Sequence, residues 1–297
     1  MSKLFVFGLG YSALTLARRL ASRGWTIAGT VRGADKAAAL AAEGIEAVTF
    51  DGTGPGSGVA AALAGADHVV VSIPPGEAGD PVLRFHRADL AREAGVVRWL
   101  GYLSTIGVYG NRDGGWITEE DETDPVSPRN ARRVEAETDW LAFGSETGIP
   151  VMLFRIAGIY GPGRNALVSL ANGTARRIVK PGQVFNRIHV EDIARVLEAS
   201  MARPRAGGIY NLADDLPAPP QDVITYAAAR LGIEPPPEVP FEAAEMTPMA
   251  RSFYSSNRRA SNARIKEELG VRLAYPDYRS GIDALFEAGE GRDPGGD

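Results

Sequence analysis

The stretch that most constrains this chain is its beginning, MSKLFVFGLGYSAL. Residues 4–7 are almost wholly apolar, the pattern of a strand buried on both faces of a parallel sheet. The run passes into Gly8-Leu9-Gly10-Tyr11-Ser12-Ala13, and then into a helical pattern with Leu14, Ala17 and Leu20 on one face. A buried strand, a G-x-G-x-x-A turn and an amphipathic helix, in that order, make a dinucleotide-binding unit. Gly8 permits the tight turn, Gly10 lets the backbone approach a pyrophosphate, and Ala13 keeps the helix close to the strand. The free N–H groups opening the helix, with its dipole, then face the two phosphates. Leu9, Tyr11 and Ser12 are the expected neighbours of the bound group.

The second strand, expected over residues 25–31, bears on which dinucleotide. An acid at its end, roughly 20 residues past the glycines, would grip the 2′-hydroxyl of the adenosine ribose. Here the end reads Gly29-Thr30-Val31-Arg32-Gly33, with no acid. Arg32 stands where a 2′-phosphate needs a positive partner, and Thr30 and Lys36 add donors. NADP is therefore expected over NAD. A third strand over 45–50 ends at Asp51, which either caps the next segment or accepts from the adenine amino group. The fourth, over 68–73, carries Ser72 and closes in Pro74-Pro75-Gly76 at the carboxyl edge of the sheet, where open α/β sheets bind ligands. His68 opens that buried strand and reads as structural.

Composition removes several other classes. Acidic residues outnumber basic ones, 37 to 32, for a net charge of -5, so there is no basic footprint for nucleic acid. No cysteine is present, which excludes disulfides, thiolate metal sites and a thiol nucleophile. The three histidines, His68, His86 and His189, are too dispersed for a zinc cluster. No stretch approaches membrane-spanning length, and the opening core strand leaves no room for a signal peptide; a cytoplasmic protein is expected.

Strand–helix units then repeat with short connections, which predicts an α/β fold with a doubly wound parallel sheet of the Rossmann kind. Helices are expected over 34–43, 80–94 and 130–147, and strands over 97–103 and 150–156. The fifth strand runs into Ser104-Thr105-Ile106-Gly107-Val108-Tyr109-Gly110, and a polar loop follows over 111–129. Residues 1–163 read as the dinucleotide-binding half, with its sheet completed by 187–212. Residues 164–186 and 213–288 read as a small C-terminal substrate lobe, and 289–297 as a disordered tail rich in Gly, Pro and charge.

Four stretches together, GLGYSA, STIGVYG, RIAGIYGPGR and RIHVEDIA, resemble the extended short-chain dehydrogenase/reductase superfamily, its epimerase/dehydratase group. The similarity runs through SNARIKEELGV and is closest in kind to the atypical, YeeZ-like branch of small bacterial members. It implies a Rossmann half, a smaller lobe shaping the substrate pocket, and hydride transfer at a hydroxyl-bearing carbon, often of a nucleotide-linked sugar. It also implies a hydroxyl residue after the fifth strand, matched by Thr105, and a Tyr-x-x-x-Lys pair on the next helix. Here the chain departs: Arg129 stands at the Tyr position and Arg133 at the Lys position.

A tyrosine can exchange a proton once a nearby cation lowers its pKa, whereas arginine stays protonated and cannot serve as the base. Arg133 can still hold the nicotinamide ribose, and Arg129 an anionic substrate group. Tyr109 is the first candidate for a substitute base, with Tyr160, His189 and Asp192 behind it. Arg164, Arg187 and Arg259 lie in segments that face the substrate in this superfamily and would suit a phosphate or carboxylate. Two readings stay open: an NADP-dependent epimerase, dehydratase or reductase, and an NADP-binding or sensing protein without turnover. The partner expected is a small, anionic molecule, with neither nucleic acid nor membrane. A homodimer through helices 80–94 and 130–147 is the assembly the resemblance implies.

Overall fold

The computed structural model describes residues 2–292. Its frame is a seven-stranded sheet, every neighbour parallel. The first half alternates strictly: β1 (Lys3–Phe7), α1 (Tyr11–Ala21), β2 (Thr26–Val31), α2 (Ala34–Ala42), β3 (Glu46–Thr49), α3 (Val59–Leu63), β4 (His68–Val71), α4 (Pro81–Arg92) and β5 (Trp99–Thr105). A short strand β6 (Trp116–Ile117) interrupts the long polar loop before α5 (Pro128–Thr147) and β7 (Val151–Ile156). Then come β8 (Gly158–Tyr160), α6 (Ala166–Ala171), β9 (Arg177–Val179), β10 (Arg187–His189), α7 (Val190–Ala202) and β11 (Ile209–Leu212). The chain ends with α8 (Pro220–Leu231), β12 (Glu238–Pro240), α9 (Pro248–Ser252), β13 (Arg259–Ala260), α10 (Ala263–Glu267) and α11 (Tyr278–Glu287).

Sheet order is β11-β7-β5-β4-β1-β2-β3. The chain works outward from β1 to one edge, returns to β4, and works outward to the other. β1 thus sits inside the sheet, with its carboxyl end at the crevice between the two halves. Its apolar run has a simple cause. Leu4 and Val6 pack on the α1 and α7 side, Phe5 and Phe7 on the side of α3, α4 and α5, and all four are fully buried. Alternation would serve a one-sided sheet; here both faces are core. Burying each such side chain contributes about 1.5–3 kcal/mol.

Helix ends are specified locally. Asp80 caps α4, accepting from the Val82 and Leu83 N–H groups at 2.9 and 3.2 Å, and its other oxygen accepts from the Trp140 indole at 3.1 Å, tying α4 to α5. Ser127 caps α5 ahead of Pro128, so that helix begins two residues before its expected start.

Three expectations are corrected here. Residues 187–212 do not all join the main sheet: β11 takes its edge beside β7, whereas β10 pairs in parallel with β8 as a separate two-stranded sheet. The polar loop expected over 111–129 holds a short strand, because β6 pairs with β13 from the far end of the chain. The expected tail starts too early. Glu290 accepts from Gly163 N–H at 3.0 Å and from the Asn165 amide at 3.0 Å, and Arg292 lies 4.3 Å over the Phe286 ring. Residues 293–297 lie outside the described residues.

Candidate active site

At the carboxyl ends of β1 to β4 lies a cavity of about 780 Å³. Its wall includes Gly8, Leu9, Gly10, Thr30, Arg32, Asp51, Ser72 and Pro74, so eight residues expected at a cofactor share one space. The size is that of a small-molecule pocket. Gly8 has φ +90°, and a Cβ there would meet Ile73 Cγ1 at 2.8 Å and Ser72 Oγ at 2.9 Å. Only glycine fits that turn. Gly10 opens α1 and no side chain caps it, so the first N–H groups of the helix face the crevice without a side-chain acceptor. A Cβ on Gly10 would find only Gly8 O, at 3.9 Å; the space before it is open. An uncapped helix start and a clear approach are what a pyrophosphate requires, so these residues fit the dinucleotide.

Several polar side chains in this wall shape the turn instead of reaching outward. Thr30 is fully buried: its hydroxyl accepts from Gly8 N–H at 2.8 Å, and its carbonyl from Leu9 N–H at 2.8 Å. It is a turn-holding residue, a correction to its expected contact with the ligand. Ser72 Oγ donates to Gly8 O, and Lys36 Nζ donates to Leu9 O at 2.7 Å. Asp51 accepts from both the N–H and the hydroxyl of Thr53 through Oδ1, which holds its carboxyl below the usual range and makes it a local cap in the cavity wall. Arg32 is exposed and has no hydrogen bond or ion pair among the described residues.

Tyr11 and Ser12 belong to the helix itself and do not line this cavity. The Tyr11 hydroxyl donates to Pro162 O at 3.0 Å, and the Arg164 guanidinium lies 5.9 Å from its ring. Tyr11 thus joins α1 to the turn after β8.

Thr105 ends β5 and caps the 3₁₀ turn Ile106–Tyr109, its hydroxyl oxygen accepting from Gly107 N–H at 3.1 Å. It is half-buried, and its O–H is left as a donor. Neither Thr105 nor any other residue of β5 lines the large cavity. Thr105 lies beyond the cavity wall, at the end of β5, the strand next to β4 in the sheet.

Arg133, at the Lys position, donates to the Tyr102 hydroxyl at 2.9 Å and to Leu103 O at 3.0 Å. It clamps the end of β5. Arg129, at the Tyr position, is exposed and lies 5.4 Å from the Phe253 ring. Asn130 completes this edge, its amide nitrogen 2.8 Å from where a Gly107 Cβ would be.

The expected substitute bases are corrected by their surroundings. Tyr109 is fully buried; its hydroxyl donates to Asn211 Oδ1 at 2.8 Å, and Arg155 lies 4.7 Å over its ring. Burial pushes its phenol up, the wrong direction for a base, despite the arginine. Tyr160 is pushed up likewise, and its hydroxyl donates to Asp277 O at 3.3 Å. His189 caps α7 through Nδ1, and burial lowers it to about 4. Asp192 anchors the C-terminal lobe, its two oxygens accepting from Ala274 and Tyr275 N–H groups at 2.7 and 2.9 Å.

Nor do the three remaining arginines converge on an anion. Arg187 spends its guanidinium on Phe185 O and Ala218 O, both at 3.0 Å. Arg259 donates to Gly114 O, and Arg164 is the partner of Tyr11.

Sequence reasoning missed the polar network beneath this edge. Glu137 and Arg155 form a buried pair, Oε2 to Nη2 at 2.7 Å, and Ser104 Oγ donates to the same carboxylate. The chain continues through Tyr109 to Asn211, whose N–H donates to Glu119 Oε1 at 2.7 Å. One signal was present: an arginine inside the apolar strand VMLFRI needs a buried acid. Among the described residues no group of His, Asp and Glu could hold a metal, and no helix is long and apolar enough to cross a membrane.

The chain is 29% identical over 290 residues to Protein YeeZ of Escherichia coli (strain K12), covering 93% of this chain and 97% of that one. It superposes with TM-score 0.88 and 50% identity on a functionally unknown conserved protein from Silicibacter pomeroyi DSS, covering 98% of this chain and 100% of the other. It shares its fold, at TM-score 0.74 and 16% identity, with the dTDP-glucose 4,6-dehydratase of Bacillus anthracis solved with NAD, covering 98% and 97% of the two chains. The pattern of the NAD dependent epimerase/dehydratase family matches residues 5–213, from within β1 to just past β11, and the chain belongs to that family.

Proposed function

We propose that this chain is an NADP(H)-preferring oxidoreductase of the epimerase/dehydratase type. Its substrate would be a small anionic molecule with a hydroxyl- or oxo-bearing carbon, and the nucleotide-linked sugars of the dTDP-glucose dehydratase fold relative are the first class to test. One observation carries the reading: the cavity joins an uncapped α1 to Arg32 at the ribose edge, with no acid at the end of β2. The bound dinucleotide would give or take a hydride at the substrate carbon. Gly8, Gly10 and the start of α1 would hold its pyrophosphate, and Arg32 its 2′-phosphate. Thr105 would donate to the substrate oxygen as its charge changes. Arg133 would hold the end of β5 in place for that donation.

A second reading, a dinucleotide-binding protein without turnover, is favoured by Arg129 and Arg133 in place of the Tyr and Lys. A screen for oxidation of NADPH by oxo-sugar nucleotides separates the two. Turnover that falls on Thr105→Ala, with unchanged NADPH affinity, supports the enzyme. Tight NADPH binding with no turnover across the screen supports the second reading.

A further inference from the structure

One cation in the cavity wall has no task in the account so far. Arg84 lies in the first turn of α4, four residues after the cap Asp80, and faces the cavity together with Phe50, Gly52 and Pro81. Its guanidinium carbon lies 4.9 Å from the centre of the Phe85 ring, and Phe85 in turn meets Phe50 edge-on at 6.3 Å. No carboxylate pairs with it among the described residues. A guanidinium is planar and weakly hydrated, so one that rests on an aromatic ring still offers its opposite face to a second ring.

Sheet order determines which part of a dinucleotide would reach that face. Pyrophosphate belongs at the turn between β1 and α1, and ribose at the end of β2. Moving outward, the next wall is built from the end of β3, through Phe50 and Gly52, and from the start of α4. Only the base remains to fill it. The nicotinamide would extend the other way, toward Thr105 on β5.

We propose that Arg84 is the platform for the adenine ring, held between Phe85 beneath and the base above. This rests on the dinucleotide reading given above and assigns the two cavity arginines different work. Arg32 reads the 2′-phosphate; Arg84 reads the base. The position of Arg84 on the β3–α4 wall, away from the β2 end, is what separates the roles.

The test is calorimetric titration of the full chain with ADP, 2′,5′-ADP, NADH and NADPH, in wild type, Arg84→Ala and Arg84→Lys. Arg84 is exposed, so neither substitution disturbs the core. The expected result is that Arg84→Ala weakens all four ligands by a similar factor, about three- to tenfold, and that Arg84→Lys recovers only part of it. Unchanged affinity in Arg84→Ala would overturn the proposal. So would a loss confined to 2′,5′-ADP and NADPH, or full recovery by lysine, since either makes Arg84 a phosphate reader. If wild type binds none of the four, the dinucleotide reading fails first; if it binds them and Arg84→Ala binds equally, only the role of Arg84 fails.

Discussion

Removing the Glu137 carboxylate tests whether the network under Thr105 is held by charge. Glu137 and Arg155 are 3% and 5% exposed, and three contacts join them, at 2.7, 3.2 and 3.2 Å. Glu137→Ala leaves the guanidinium buried beside Tyr109 with no carboxylate to pair it. Breaking one partner of such a pair costs about 3–5 kcal/mol, most of it from the charge left behind. The Ser104 hydroxyl also loses its acceptor, roughly 1 kcal/mol more. Reversible urea unfolding measures the sum. At roughly 2 °C per kcal/mol for a chain this long, the loss should also lower Tm by about 8–12 °C if it reaches 4–6 kcal/mol. Glu137→Leu with Arg155→Met removes both charges at similar volume and is expected to recover most of that loss. A Glu137→Ala loss under about 1 kcal/mol, or a double variant as unstable as the sum of its singles, would refute the argument.

Three further outcomes are expected. Gly8→Ala places a Cβ against Ile73 and Ser72 at φ +90°, so it should cost about 1–3 kcal/mol in unfolding and weaken NADPH at least roughly tenfold in the same titration. Lys36→Ala should weaken NADH and NADPH alike, by about fivefold, because the ammonium holds Leu9 O and with it the glycine turn; a loss for NADPH alone would give Lys36 a phosphate instead. His189 sits at about 4 in the fold against an ordinary value near 6.5, so the unfolded chain binds the extra proton first. Its contribution is complete above about 6.5 and is lost as pH falls toward 4; His189→Asn, which keeps an acceptor at the cap, should flatten that part of the stability profile.

How far the sequence could be read follows from the range of each signal. β1 and the glycine turn were legible because strand, turn and helix are contiguous, and φ > 0 at Gly8 leaves a mark in residue type. Arg32 and the missing acid were legible for the same reason. The work of Thr30 was not: its hydroxyl turns back to Gly8, 22 positions earlier, and nothing local records that. Tyr109 misled because its motif follows a strand of the same sheet, while its ring points into the core toward Asn211, 102 positions on. The arginines misled differently. Each lies on the expected segment, but Arg187 and Arg259 are consumed by backbone carbonyls, partners that carry no residue signature. The pairing of β10 with β8 escaped because both strands are short, so periodicity has little to work on.

The central claim is that Arg32, at the rim of the cavity under β2, selects a 2′-phosphorylated dinucleotide. Calorimetric titration of wild type and Arg32→Ala with NADPH and with NADH tests it most directly. The account predicts that wild type binds NADPH at least about tenfold more tightly than NADH, and that Arg32→Ala removes that difference by weakening NADPH alone, the effect of losing one charge-assisted contact. Equal binding of the two by wild type would contradict the choice of cofactor, and binding of neither would contradict the dinucleotide site itself.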